Sequence, residues 1–185
     1  MGRISSIFGG HIGLMTLTAG GQIEGLAWNT SQGFSTGLSA FVAQNYAAGK
    51  KSRILRAYRS GLAITTVFGL LLTLLFVFYG GEVFTLFVPG QIAFDAGQLF
   101  LRIEGYTMLF MMVEITIQGV FFGTGRTLPP ALISSVFNLL RIPLAIILAK
   151  NGMGLAGIWW AISLTSLLKG LTAFSWFQAI KKRIL

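Results

Sequence analysis

Glu104, Thr107, Met111, Glu114 and Gln118 recur at spacings of 3, 4, 3 and 4. At about 100° per helical residue they share one arc of roughly 80°. One helix face thus carries two carboxylates, a hydroxyl, a thioether and an amide. Apolar residues surround them, in a chain with 54% hydrophobic residues and 10% charged ones. A carboxyl at membrane depth is costly unless it does something, so it is a functional candidate by default. Glu114 lies deepest and is the leading candidate to take up and release a coupling cation. Its structural alternative is an ion pair with Arg141 or Lys169. Glu104 is expected nearer the outer interface, paired with Arg102.

A second polar stripe precedes it. Gln22, Asn29, Gln32, Thr36 and Ser39 fall on one side of a helix, with Glu24, Trp28, Ser31 and Ser35 beside them. Ile23, Leu26, Ala27, Phe34 and Phe41 take the opposite, lipid-like side. Amides in hydrocarbon need partners or water, so Gln22, Asn29, Gln32 and Thr36 are expected to line a substrate path. Thr107, Met111 and Gln118 are expected to complete it. Glu24 is a second ion-coupling candidate. The small residues, including the Gly33-x-x-x-Gly37 pair, are expected mainly to let helices approach closely.

Other chemistries find no support in the residues. With no cysteine and one histidine, His11, neither a thiolate site nor a multi-histidine metal site can form. Gly123-Thr124-Gly125 lacks the lysine, hydroxyl and preceding strand of a phosphate loop. No nucleophile–base pair is visible, so neither an enzyme nor a bound cofactor is expected. The net charge is +9, but the basic residues collect at helix ends. Nucleic acid is therefore not an expected partner; the lipid bilayer is. The opening MGRISSIFGG does not read as a signal peptide.

Those side chains need long apolar helices to hold them. A soluble domain carries about a quarter charged residues, far above the 10% here, and several apolar runs approach the roughly 20 residues that cross a bilayer. The fold class is all-α and integral to the membrane, a single domain over residues 1–185. Five helices are expected, at about 11–48, 54–79, 98–122, 131–149 and 155–180. The first exceeds the bilayer thickness and should bend at Gly33 or Gly37. Gly80 and Gly81 should stop the second, with a loop over 82–97. Pro143 falls inside the fourth.

Lys50, Lys51, Arg53, Arg56 and Arg59 lie within ten residues. With alternating helices they share a side with Arg126, Lys181, Lys182 and Arg183. Nine basic residues then oppose three, Arg3, Arg102 and Lys150. The positive-inside rule puts the 48–59 turn and the C-terminus in the cytoplasm.

Four runs occur in a telling order: IEGLAWNTSQGFSTGLSAFVAQNYAAGKKSR, GVFFGTGRTLPP, LLRIPLAIILA and GLAGIWWAI. In this order they closely resemble the multidrug and toxic compound extrusion (MATE) family, across nearly the whole chain. The resemblance implies a twelve-helix transporter of two six-helix lobes. This chain would be part of the second lobe, in a bacterial cytoplasmic membrane. It implies export of organic, often cationic, compounds against an inward H+ or Na+ by alternating access. Several members carry an acid twelve residues ahead of the first glycine of the G-x-G break. Here that position is Met111, and Glu114 one turn later faces the same way.

The expected function is thus a cation-coupled (H+ or Na+) antiporter of organic, often cationic, drugs, inactive as an isolated piece until the missing N-terminal lobe or a second chain joins it. Two alternatives stand beside it. One is a flippase of lipid-linked sugars, which would favour a strongly cationic cavity. The other is a truncated, non-transporting membrane protein.

Overall fold

A computed structural model describes residues 1–184, with side chains through Lys181. The basic residues Lys182 and Arg183 lie outside the described side chains. Five helices run in order: α1 Gly2–Ala47, α2 Lys51–Thr85, α3 Gln91–Gly123, α4 Leu128–Leu148 and α5 Gly154–Ile184, with a π-helical turn Ala149–Met153 before α5. The chain is an all-α, multi-pass membrane bundle. Among the described residues, three segments are long and apolar enough to cross a membrane: α2, α3, and the run Leu128–Lys181 that contains α4 and most of α5.

The central element is α3, which packs against α2, α1 and α5, while α4 joins the bundle mainly through α5. Phe100, Leu101, Met112, Ile117 and Val120 on α3 are fully buried. They meet Phe76 and Phe84 of α2 and Ile158 and Trp159 of α5 in one core, and Val42, Ile54 and Phe177 in another. Phe100 and Trp159 meet edge-on, with ring centres 4.9 Å apart.

Two expectations about breaks are corrected. The helix does not bend at Gly33 or Gly37; its break is at Gly10, with φ 54° and ψ −138°. There residues 2–9 fold back so closely that a Cβ on Gly13 would lie 2.4 Å from the Ser5 carbonyl oxygen. Gly80 and Gly81 do follow a break in α2, where the backbone turns non-helical at Tyr79, with φ −119° and ψ 22°; what changes is the length of the loop after it. Both glycines are buried contact points, where added Cβ atoms would meet Leu101 at 3.0 Å and Phe94 at 2.6 Å. Beyond that kink a further helical stretch runs on to Thr85, and α3 begins at Gln91. The loop is therefore shorter than 82–97, because close packing holds both helix ends in place.

The lipid-like side of α1 is also revised. Leu26 and Phe41 are exposed, but Ile23 and Ala27 are buried in the core. Pro129 and Pro130 sit in the first turn of α4, where a missing N–H costs nothing.

Candidate functional site

Between α1, α3, α4 and α5 lies a cavity of about 370 Å³. Each helix gives it one register of side chains. From α1 come Glu24, Trp28 and Gln32; from α3, Glu104, Met111, Glu114, Ile115 and Gln118; from α4, Ser134, Asn138 and Arg141; from α5, Ile162, Ser166 and Lys169. Steps of 4 and 3 or 4 on α1, α4 and α5, and of 7, 3 and 4 from Glu104 through Met111 and Glu114 to Gln118 on α3, are those of a single helix face.

The charges are arranged around Arg141. Its Nε donates to Thr165 Oγ1 at 2.9 Å and its guanidinium donates to Ser166 Oγ at 3.4 Å. Thr165 Oγ1 in turn donates to the Ala161 carbonyl at 2.8 Å. So fixed, Arg141 acts electrostatically on Glu104, Glu24 and Glu114. Lys169 acts on Glu114 as well, and Gln118 Nε2 donates to Glu114 Oε1 at 2.8 Å. Glu24 and Glu104 line the cavity together and act on each other electrostatically. Glu104 Oε1 is buried without a hydrogen-bond partner among the described residues, an acceptor that calls for a proton or a cation. Three carboxylates against two basic side chains leave one uncompensated negative charge in the cavity when all are ionised.

The structure gathers Glu24, Glu114, Gln32, Met111 and Gln118 of the expected site residues. Four others lie elsewhere. Gln22 lines a separate, mostly apolar groove with His11, Met15 and Thr18. Asn29 is exposed, and so is Thr36, whose hydroxyl is turned back to the Gln32 carbonyl at 2.8 Å. Thr107 is a packing residue, its hydroxyl bonded to Ser163 Oγ at 2.9 Å. The Glu104 expectation is overturned. It is only 4% exposed and lines the cavity, while Arg102 Nε reaches the Val77 carbonyl at 3.4 Å. Burial puts Glu104 inside because the neighbouring Ile103 and Met108 form part of the core.

Asn138 and Ser166 went unnoticed in the sequence. The signal was present: Ser134-Asn138-Arg141 and Ile162-Ser166-Lys169 both step by 4 and 3. Reading each stripe outward from its intramembrane cation would have found them. The small residues of α1 divide in two. Ser31 and Ser35 are buried, Ser31 against the Met112 sulfur and Ser35 donating to the Ile115 carbonyl at 2.8 Å. Gly33 and Gly37 face open space, with nothing within 4 Å of an added Cβ.

Known proteins resemble the chain in a consistent way. A relative, the probable multidrug resistance protein NorM of Thermotoga maritima, is 25% identical over 141 residues, which is 75% of this chain and 30% of that protein. The chain therefore spans about 30% of the length of the curated relative it matches. The MatE family profile matches residues 1–147. With most of its length so matched, the chain belongs to the MatE family of membrane transporters.

Proposed function

We propose that this chain forms most of the second lobe of a cation-coupled multidrug exporter, and that Glu114, Glu24 and Glu104 hold the coupling cation. The observation that carries this is the charge count of the cavity. Its single surplus negative charge is balanced by one H+, one Na+ or one organic monocation. Leaving such a charge buried and unpaired is expensive. A coupling ion and a cationic drug thus satisfy the same demand, and exchange between them costs little. The family and the NorM relative support the direction, outward movement of drugs.

Glu114 is the exchange group. Gln118 and Lys169 hold its carboxylate while no ion is bound. Trp28, Met111 and Ile115 supply apolar contact for the body of a drug, and Gln32 and Asn138 supply polar contact. Met111, soft and unbranched, adapts to varied shapes. The isolated chain binds but does not transport, because alternating access needs a partner lobe, supplied by a first lobe or a second chain. The bundle lies in the cytoplasmic membrane with its 48–59 turn and C-terminus inside.

A flippase of lipid-linked pyrophosphates would need a cationic cavity. Here Arg141 and Lys169 face three acids, which favours the exporter. The test is drug resistance in an efflux-deficient host that expresses this chain as the second lobe of a two-lobe transporter. Glu114→Gln should return resistance to the level of the empty host at equal expression. Unchanged resistance removes Glu114 from the mechanism.

A further inference from the structure

The turn between α1 and α2 holds a second feature, well away from the cavity. A groove of about 330 Å³ is lined by Phe41 of α1 and by Arg53, Arg56, Ala57 and Ser60 of α2. Ile54 and Tyr58 are buried on the other side of α2, at 0% and 4% exposure. They fix its rotation, so both arginines face outward. None of the five acids, Glu24, Glu82, Asp95, Glu104 and Glu114, lines the groove. Among the described residues its two guanidiniums therefore have no side-chain carboxylate there to pair with. The positive-inside rule asks only for basic residues near this helix end. It does not ask for a groove that places two of them one turn apart beside an exposed aromatic ring and a hydroxyl.

The same face of α2 continues away from the charges as an apolar track. Ser60 is followed by Ile64, Val67 and Leu71, at steps of 4, 3 and 4, with exposures of 56%, 59% and 59% for the three apolar residues. From Arg56 to Leu71 the track runs about 22 Å at 1.5 Å per residue. That is comparable to one acyl chain lying along a helix in a leaflet. Guanidiniums bind phosphate oxygens in a fork geometry, and basic pockets at the ends of membrane helices suit anionic headgroups.

We propose that this groove is a binding site for an anionic phospholipid. Arg53 and Arg56 hold its phosphate, the Ser60 hydroxyl donates to a phosphate or glycerol oxygen, and one acyl chain lies over Phe41, Ala57 and the Ile64–Leu71 track. The occupant is a lipid and not free phosphate, because the apolar track continues the charged groove without interruption.

The test uses the full chain purified in neutral detergent. It is given phosphatidylglycerol or phosphatidylcholine with the same acyl chains, and native mass spectrometry reads the bound lipid. Phosphatidylglycerol should be retained roughly tenfold over phosphatidylcholine, as expected for two cations at an anionic headgroup. Arg53→Gln with Arg56→Gln should bring it down to the phosphatidylcholine level. Lys50→Gln with Lys51→Gln removes equal charge outside the groove and should keep most of the retention. If the glutamine pair at 53 and 56 fails to fold, Arg53→Lys with Arg56→Lys keeps the charge and should still lower retention by losing the fork. Millimolar inorganic phosphate should not displace the lipid. Equal retention of the two lipids, equal loss in the 50/51 and 53/56 variants, full retention in the lysine pair, or displacement by inorganic phosphate would each overturn the proposal.

Discussion

Arg141 sets the charge balance of the cavity, and two hydroxyls set Arg141. Thr165 accepts from its Nε and passes a hydrogen bond on to the Ala161 carbonyl, so the guanidinium is anchored to the α5 backbone through one side chain. A hydrogen bond to a charged group contributes about 1.5–3 kcal/mol. Thr165→Val should lower stability by about that amount in thermal unfolding in detergent, while Thr165→Ser should stay near wild type. An unchanged melting temperature in the valine variant would show that Arg141 is held by other means. At this scale the sequence was readable where one helix supplies both partners. Glu114 and Gln118 are four apart, and they do bond. Glu104 was not readable, since its surroundings depend on where α1 and α4 bring Glu24 and Arg141. Spacing along α3 contains no information about those helices.

Glycines show how differently one residue type serves each helix. On α3, a Cβ at Gly119 would lie 2.7 Å from the Ser35 carbonyl oxygen, and one at Gly123 would lie 2.6 Å from that of Ser39. These two let α3 touch the α1 backbone. Gly33 and Gly37 lie in open space on α1. Gly119→Ala should therefore destabilise the isolated chain by about 1–3 kcal/mol through overpacking. Gly33→Ala should stabilise it by up to about 1 kcal/mol through helix propensity. Paired melting curves check the opposite signs; a loss in both would place a packing partner on the Gly33 face. The helix count, order and type follow from hydropathy and are visible in the sequence. The packing role of Gly80 and Gly81 was not legible, for a physical reason. A glycine that ends a helix and a glycine that admits a neighbouring ring look alike until the neighbour is placed.

The whole chain is a membrane bundle, and the absence of cysteine makes its proposed orientation simple to test. Single cysteines can be introduced without background labelling. Asn151→Cys, in the turn before α5, should react with an impermeant maleimide added to intact cells. Ser52→Cys and Thr127→Cys should react only after the cells are opened. The reverse pattern would invert the proposed orientation. At this scale composition alone gave the class, and four ordered runs gave the family. The chain matches 30% of its curated relative, so export is a property to be measured with a complementary lobe present. The most direct measurement is drug-evoked ion flux in proteoliposomes carrying such a two-lobe transporter, with internal pH and internal Na+ read in parallel. Adding a cationic dye should release H+ or Na+ in the wild type, and Glu114→Gln should abolish that release. A full ion response in Glu114→Gln would contradict the claim that this cavity couples the cation to the drug.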